Sequence, residues 1–282
     1  MVEHQPHGLK HDLAQLQAQA RRRHTLRLLG GLGLAGSLPL LGCGGGGDAG
    51  TALTNSSSAI GTTTTTTTCS TVPAETAGPY PGDGTNSSSN GVANALALSG
   101  IVRSDMRTSI AGASGTAAGV PLTVTLTLVN TSASCATLVG YAVYLWHCDA
   151  LGNYSMYAGS ALNQNYLRGV QVSDANGQVT FTTIVPGCYS GRWPHMHFEV
   201  FRTLAAASSG ANDVRTSQLA LPQSVCQAVY SQPGYSGSAA NLAAVSLASD
   251  SIFSDGVSLQ MATVTGSVAA GYAASLQVGV AG

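Results

Sequence analysis

Residues 122–128 read Leu122-Thr123-Val124-Thr125-Leu126-Thr127-Leu128, in which apolar and polar side chains alternate with a period of two. This alternation is typical of a β-strand that buries one face and exposes the other. Further extended segments are predicted at 141–148, 170–173, 179–184, 195–202, 259–265 and 275–280. The turn Asp174-Ala175-Asn176-Gly177 separates two of them, and one short helix is predicted at 218–230.

Short strands with Gly, Asn and Ser turns, without an alternation of strands and helices, favour an antiparallel sandwich or barrel. We therefore predict an all-β fold, an antiparallel β-sandwich with long loops and little helix. In segment 195–202, Met196, Phe198 and Val200 would lie on one face and His195, His197 and Glu199 on the other.

The composition excludes several classes of protein. The chain has 282 residues, of which 44% are hydrophobic and only 8% are charged, and its formal net charge is −1. Because there is no basic field to attract phosphates, nucleic acid is not an expected partner. The region after the N-terminus lacks a run of about 18 strongly apolar residues, which argues against a polytopic membrane protein.

The N-terminal region predicts export. Arg22 and Arg23 precede a Gly-diluted apolar run, 28–41, and resemble a twin-arginine signal. The run ends at Leu40-Leu41-Gly42-Cys43, which resembles a bacterial lipobox with Cys43 as the lipidated residue. A cytosolic N-terminal helix with an incidental cysteine is the alternative.

Three regions follow from this interpretation: a signal peptide at 1–42, a Gly/Ser/Thr-rich tether at 43–69, and the β-sandwich domain at 70–282. The protein is then expected in the bacterial cell envelope, on the periplasmic or surface side. Its contact with the membrane would be through the lipid anchor only.

Cysteine usage fits an oxidising compartment but leaves the pairing open. Without Cys43, five cysteines remain: Cys69, Cys135, Cys148, Cys188 and Cys226. Because five is an odd number, at least one of them cannot pair within the chain. The spacing Cys-x-x-Cys is absent, so a cysteine-type zinc site is not expected.

Residues 186–198 read Pro186-Gly187-Cys188-Tyr189-Ser190-Gly191-Arg192-Trp193-Pro194-His195-Met196-His197-Phe198. Histidines at i and i+2 of a strand share one face, so both imidazoles can reach one metal ion. Alone, this pattern also suits two pocket histidines without a metal. Upstream stand the blocks Trp146-His147-Cys148-Asp149-Ala150-Leu151-Gly152-Asn153-Tyr154 and Leu167-Arg168-Gly169-Val170-Gln171.

In the order and spacing of these blocks, the sequence resembles the intradiol ring-cleavage dioxygenases, the catechol and protocatechuate group, over roughly residues 73–202. The resemblance implies an oxidoreductase with one Fe(3+) per chain, which opens a small aromatic diol with O2 to a cis,cis-muconate-type product. It implies four metal ligands: Tyr154, Tyr189, His195 and His197.

The resemblance also implies roles around the metal. Arg192 matches the active-site arginine of the family, as a catalytic and substrate-binding residue. Tyr189 would be the tyrosine that leaves the metal and accepts a substrate proton. The stretch Glu75-Thr76-Ala77-Gly78-Pro79-Tyr80 resembles the substrate mouth, with Gly78, Pro79 and Tyr80 as binding residues.

Ligand charge supports ferric iron in such a site. Two phenolates and a hydroxide supply three negative charges, whereas two histidines with one carboxylate suit ferrous oxygenases. The chain departs from the better-known intracellular enzymes in the short spacing between Tyr189 and His195. Which diol is used therefore stays open, as does the oligomeric state.

Two other classes of function remain as alternatives. One is a non-catalytic exported lipoprotein whose sandwich binds carbohydrate or a protein partner. The other is a zinc hydrolase that uses both histidines and a carboxylate such as Asp149. We interpret Tyr144, Tyr157 and Tyr166 as structural and His147 as a wall residue of the site, while Trp193 could line the pocket or pack.

Overall fold

The computed structural model describes residues 69–282, so the predicted signal peptide, Cys43 and all of the tether before Cys69 lie outside the described residues. The strands in the described part are β1 (Asp83–Ser88), β2 (Gly91–Asn94), β3 (Pro121–Asn130), β4 (Ala136–Thr137), β5 (Ala142–Trp146), β6 (Arg168–Val172), β7 (Gln178–Ile184), β8 (His195–Phe201), β9 (Arg215–Ala220), β10 (Thr263–Ser267) and β11 (Gly271–Val280). The α-helices are α1 (Gln223–Tyr230) and α2 (Ser238–Ala243).

The alternating segment 122–128 lies in β3, at the centre of the first sheet. β7 pairs with it in antiparallel fashion on one side, and β4 pairs with the end of the same strand. On the other side β11 pairs in parallel, from Leu122 opposite Tyr272 to Asn130 opposite Val280. A parallel pair requires a long crossover connection, and here nearly the whole domain separates the two strands.

The second sheet has the order β6-β5-β8-β9 and is antiparallel throughout. Its inner face packs against the first sheet, and the apolar side chains of both sheets form one buried core. β3 contributes Leu122, Val124, Leu126 and Leu128 to this core. β8 contributes Met196, Phe198 and Val200. The predicted all-β sandwich and the predicted division of β8 into two faces are thereby confirmed, with Met196, Phe198 and Val200 on the inner face.

The outer face of the second sheet is covered as well. A second apolar cluster joins Tyr144 and Trp146 of β5 to Leu96 and Ile101 of the preceding segment. Trp146 lies opposite His197 across the β5–β8 pair, which places both on this outer face. The histidines therefore lie beneath the segment that precedes β3, and outside the inter-sheet core.

The helix predicted at 218–230 is wrong in its first part. Residues up to Ala220 complete β9, whose Gln218 pairs with His197, and α1 begins only after Pro222, which occupies its N-cap. Pro222 has no amide hydrogen to donate within a helix, and its ring fixes the backbone angle φ at the point where the helix begins. α2 was not predicted, and the strand predicted at 259–265 begins at Thr263.

The cysteines divide into one disulfide and three thiols. Cys69 is bonded to Cys135, which ties the start of the described chain to the connection between β3 and β4. Cys148, Cys188 and Cys226 are free and buried. Within residues 69–282, no helix has the length and apolar character needed to cross a membrane.

Candidate metal centre

Tyr154 lies in the loop that follows β5, and a carboxylate shapes this loop. Asp149 Oδ1 accepts hydrogen bonds from the amides of Leu151 and Asn153, each at 2.9 Å. Gly152 has φ +86°, a left-handed conformation that glycine adopts without strain. A β-carbon there would also lie 3.1 Å from Cβ of Tyr189, so glycine permits the close approach of the second tyrosine.

Tyr189 lies in the loop after β7, directly against the first loop. The amide of Gly187 donates to the carbonyl of Asp149 at 3.0 Å, and the thiol of Cys188 is within 3.5 Å of the Arg192 carbonyl oxygen. Tyr154 is 2% exposed, whereas Tyr189 is only partly buried. Of the two tyrosines, Tyr189 is the less buried residue.

The two histidines begin β8 and point to its outer face. Nδ1 of His195 bonds to the carbonyl of Trp193. Because a carbonyl can only accept, the proton lies on Nδ1, and Nε2 carries the lone pair. The ring of His197 stacks on Trp146, with ring centres 5.0 Å apart and planes within 10°.

Four polar atoms of these side chains converge. Tyr154 Oη is 3.4 Å from Tyr189 Oη, and Tyr189 Oη is 3.1 Å from His195 Nε2. His195 Nε2 is in turn 3.1 Å from His197 Nε2. The structure thus brings together the four side chains predicted as metal ligands.

Burial keeps all four side chains of the cluster uncharged at pH 7. Burial lowers the pKa of His195 and His197 well below the ordinary value, so both imidazoles are neutral at pH 7. Burial raises the pKa of Tyr189 to about 12 and that of Tyr154 well above its ordinary value. A bound trivalent ion reverses this effect on a phenol, because it supplies the charge that stabilises phenolate.

Within residues 69–282, no third histidine, cysteine or carboxylate joins His195 and His197 in a group that could hold a metal. Asp149, the carboxylate considered for a zinc site, instead accepts hydrogen bonds from amides of its own loop. Its Oδ2 accepts from Tyr166 Oη at 3.3 Å. The donor set is therefore two phenols and two imidazoles, which fits Fe(3+) better than the usual zinc or ferrous sites.

Arg192 reaches the same cluster and is 6% exposed. Its Nη1 is 3.4 Å from His195 Nε2, its Nη2 donates to Gln218 Oε1 at 2.6 Å, and its Nε donates to Asp250 Oδ2 at 2.9 Å. Although burial opposes the charge, Tyr189 and Asp250 raise the pKa of Arg192 above its ordinary value. A fixed cation therefore stands beside the four donor atoms.

The predicted mouth segment lies against the cluster. A β-carbon at Gly78 would be 3.2 Å from His197 Cε1, and the ring of Tyr80 is 5.2 Å from that of Tyr154 between centres. Pro79 is held through its carbonyl, which accepts from Asn86 Nδ2 at 2.8 Å. Gly78 and Tyr80 thus lie against the cluster, and Pro79 stands between them in the chain.

The residues interpreted as structural lie around the cluster and outside it. Tyr144 Oη donates to the Pro81 carbonyl at 2.8 Å, and Tyr157 Oη accepts from the Gly82 amide at 2.8 Å. Trp193 packs in the core, with its indole N–H on the Leu221 carbonyl. His147 is not a wall residue: it faces β7 and bonds to Thr183 Oγ1 at 2.7 Å.

Sequence reasoning missed Gln218, Asp250 and Phe253. Gln218 bridges Arg192 to the Thr76 carbonyl, which accepts from its Nε2 at 3.0 Å. Phe253 covers Arg192 and His195, with Cζ of Arg192 5.9 Å from the ring centre. The one available signal was that a buried arginine needs an anionic partner, and this signal does not say which carboxylate supplies it.

Known proteins resemble this chain in sequence and in fold. A family model described as Dioxygenase matches residues 102–221. The intradiol ring-cleavage dioxygenase of Tetranychus urticae has a TM-score of 0.57 and 24% identity, over 75% of this chain and 95% of that chain. A second solved dioxygenase gives the same TM-score, identity and share of this chain, and 94% of its own.

The dioxygenase domain of a carbohydrate-binding fusion protein from Streptomyces sp. SirexAA-E has a TM-score of 0.46 and 22% identity, over 75% of this chain and 98% of that chain. None of the curated proteins matches the sequence. The described chain has the β-sandwich fold of the intradiol ring-cleavage dioxygenases, and residues 102–221 match the Dioxygenase family model.

Proposed function

We propose that this protein is a non-haem ferric dioxygenase that cleaves a catechol-type ring between its two hydroxylated carbons and yields a cis,cis-muconate-type product. The observation that supports this proposal most directly is the series of contacts, 3.1–3.4 Å each, that links two phenol oxygens and two imidazole nitrogens. The match of residues 102–221 to the Dioxygenase family model supports it independently.

The four ligands would hold one iron ion per chain. Both imidazoles are neutral and hold no proton that must first be lost, and the Trp193 carbonyl keeps the Nε2 lone pair of His195 available. Tyr154 and Tyr189 would bind as phenolates. When bound, ferric iron would draw electron density from the diol and make a ring carbon reactive toward dioxygen, so that both oxygen atoms enter the product.

The chain's own side chains would manage protons and charge. Tyr189 is the less buried of the two tyrosines, and its Oη, 3.1 Å from His195 Nε2, would take up a proton from an entering diol. Arg192 holds its guanidinium beside the donor atoms, where it would stabilise negative charge that develops on the opening ring. Tyr80 and Gly78 would confine the ring of the substrate against the ligand cluster.

Iron content, colour and labelled product test this function together. Protein produced with iron is expected to contain about one iron per chain and to show a visible tyrosinate band. With catechol and ¹⁸O2 it should release a muconic acid that carries both labelled atoms. The double variant His195→Ala/His197→Ala is the matched control and should bind no iron. Wild-type protein that stays colourless and iron-free after reconstitution would overturn the proposal.

We further propose that the protein is exported through Arg22 and Arg23 and anchored through a lipid on Cys43. A twin-arginine route carries folded proteins, so the iron could be acquired before export. Changing both arginines to Lys should trap the precursor inside the cell, and Cys43→Ala should release the mature protein from the membrane fraction. Normal delivery of the double-Lys variant would refute the route, and continued membrane association of Cys43→Ala would refute the anchor.

A further inference from the structure

Asp250 is a fully buried carboxylate at the metal centre, and it lies beyond residue 221, where the match to the Dioxygenase family model ends. It stands in the connection between α2 and β10, 58 residues from Arg192 in sequence. Its Oδ2 accepts from Arg192 Nε at 2.9 Å and from the amide of Trp193 at 2.7 Å. One oxygen thus holds both the guanidinium and the backbone next to it.

The other oxygen fixes the carboxylate itself. Oδ1 accepts from the amides of Ile252 at 2.8 Å and Phe253 at 3.0 Å. With four donors on two oxygens, the carboxylate has little freedom to rotate. The turn that it forms also sets Phe253 against Arg192 and His195, with the two ring centres of Phe253 and His195 6.4 Å apart.

Only one end of the guanidinium remains for the site. Nε is engaged by Asp250 and Nη2 by Gln218, which leaves Nη1 toward His195 Nε2 at 3.4 Å. Without its carboxylate, the buried guanidinium would carry an uncompensated charge, and the side chain would reorient toward another acceptor or toward solvent. The direction of Nη1 therefore depends on Asp250.

We infer that Asp250 is a positioning residue, which fixes Arg192 with its Nη1 toward the ligand cluster, so that the region after residue 221 completes the active centre. The inference concerns the reaction proposed above and rests on that proposed function. The competing role is purely structural: Asp250 would only hold the turn at 250–253, and the orientation of Arg192 would not depend on it.

A first measurement uses the iron-free protein and needs no turnover. In ¹⁵N-arginine-labelled protein, the Nε–H signal of Arg192, assigned by its loss in Arg192→Lys, is expected to be protected from hydrogen exchange. The exposed pair of Arg107 and Asp105 provides the internal reference. If the Arg192 signal exchanges as fast as the Arg107 signal in the wild-type protein, the inference is wrong, whatever any variant does.

The isosteric variant Asp250→Asn should speed the exchange of the Arg192 signal by about tenfold or more, the factor that the loss of a charge-assisted hydrogen bond implies. The matched control, Asp105→Asn, removes the carboxylate of the surface pair and should leave the Arg192 signal unchanged. Should Asp250→Asn fail to fold, Asp250→Glu, which keeps the negative charge but displaces it, is expected to speed the exchange of the Arg192 signal, and an unchanged rate would overturn the inference.

A second measurement separates positioning from scaffolding in the iron-loaded enzyme. Asp250→Asn should keep its iron and its visible band, while kcat falls about 10²-fold and KM changes far less. In an Arg192→Ala background, Asp250→Asn should lower kcat by less than about twofold more, because the group that it positions is absent. Effects that multiply in the double variant would overturn the inference.

Failure of the proposed function would look different. If wild-type protein binds no iron or opens no diol, while Asp250 still controls the exchange of the Arg192 signal, the function is wrong and the coupling between the two residues stands. If diol cleavage is normal and the exchange of the Arg192 signal does not depend on Asp250, the proposed function stands and the inference about Asp250 is wrong.

Discussion

Gly187 packs so tightly against Ala150 that a β-carbon at position 187 would lie 2.5 Å from the Ala150 carbonyl oxygen. The contact joins the loop of Tyr154 to the loop of Tyr189, and the hydrogen bond from Gly187 N to Asp149 O, at 3.0 Å, lies beside it. Since Tyr154 Oη and Tyr189 Oη are 3.4 Å apart, the separation of these loops controls the separation of two predicted ligands.

Gly187→Ala should therefore push the two loops apart. We expect the free energy of unfolding to fall by about 1–3 kcal/mol from overpacking. Iron affinity should fall about 10- to 100-fold, the range for disturbed support of metal ligands. Competition with a chelator measures the affinity, and urea unfolding measures the stability.

Gly191→Ala is the control for that change. Its β-carbon would meet nothing within 4 Å, although φ is +83°, so it should cost about 1–2 kcal/mol of stability through backbone strain alone. Iron affinity should remain at the wild-type value. Equal affinities in Gly187→Ala and Gly191→Ala would contradict the idea that loop contact sets the ligand geometry.

Removal of single phenol oxygens distinguishes ligands from packing residues. Tyr154→Phe and Tyr189→Phe should each weaken iron binding and alter the visible band. Tyr189→Phe should keep some iron through the other three ligands but react slowly, because it also lacks the proton acceptor.

Tyr157→Phe is the control for the two ligand variants. It loses bonds to Gly82 and Asn86 and should keep normal iron content and colour. Iron loss in Tyr157→Phe alone would show that the ligand assignment is wrong.

Local pattern was sufficient for seven of the strands and for the shared face of the two histidines, whereas β1, β2, β4 and β9 were not predicted. Tyr154 and Tyr189 were identified only through the resemblance to a known family. Alternation in 122–128 predicts which side chains of β3 are buried, and the spacing of His195 and His197 places both on one face of β8. The parallel pairing of β3 with β11 could not be predicted, because a period of two is common to parallel and antiparallel strands.

Distant partners were not predictable for a different reason. Gln218 belongs to β9 because it pairs with His197 of the neighbouring strand β8. This long-range pairing outweighs any local helical tendency. Asp250 lies in an irregular connection whose sequence has no periodicity. Its role arises only where the chain returns to Arg192, so the tertiary fold decides which of the acidic residues becomes the partner.

His147 predicts how the stability of the iron-free protein depends on pH. Burial lowers the pKa of His147 to about 4, whereas in an unfolded chain it is about 6.5. The unfolded state therefore binds the proton first, and the stabilisation that is present above pH 6.5 is lost as the pH falls toward 4. From His147 alone, the free energy of unfolding should fall by about 3 kcal/mol over this interval.

Urea unfolding over a pH series measures this loss. The pKa values of His195 and His197 are also lowered by burial, so these residues add to the loss of stability at low pH. The free energy of unfolding of the wild type should therefore fall more steeply with pH than His147 alone explains. His147→Gln removes one titrating group and should flatten the curve by the contribution of His147. Curves that run parallel in the wild type and His147→Gln would show that this histidine is not held neutral by the fold.

Arg168 links the mouth segment to the tyrosine loop and is 1% exposed. Its Nη2 donates to the carbonyls of Tyr80 at 3.0 Å and Ser155 at 2.8 Å, and its Nε donates to Ser155 Oγ at 3.0 Å. Lysine retains the charge but bears its donors on a single nitrogen, which cannot occupy the positions of Nε and Nη2 at once, so some of these hydrogen bonds are lost. Arg168→Lys should lower the free energy of unfolding by about 2–4 kcal/mol through the acceptors left unpaired.

The catalytic effect of Arg168→Lys should appear mainly in KM. Tyr80 would lose its anchor while the four ligand atoms remain, so we expect iron content near the wild-type value and a rise in KM for the diol that exceeds the fall in kcat. Arg107→Lys, in the exposed pair with Asp105, should change stability by less than about 0.5 kcal/mol. If Arg168→Lys instead loses iron while KM is unchanged, then Arg168 supports Tyr154 through Ser155, and the position of Tyr80 does not depend on it.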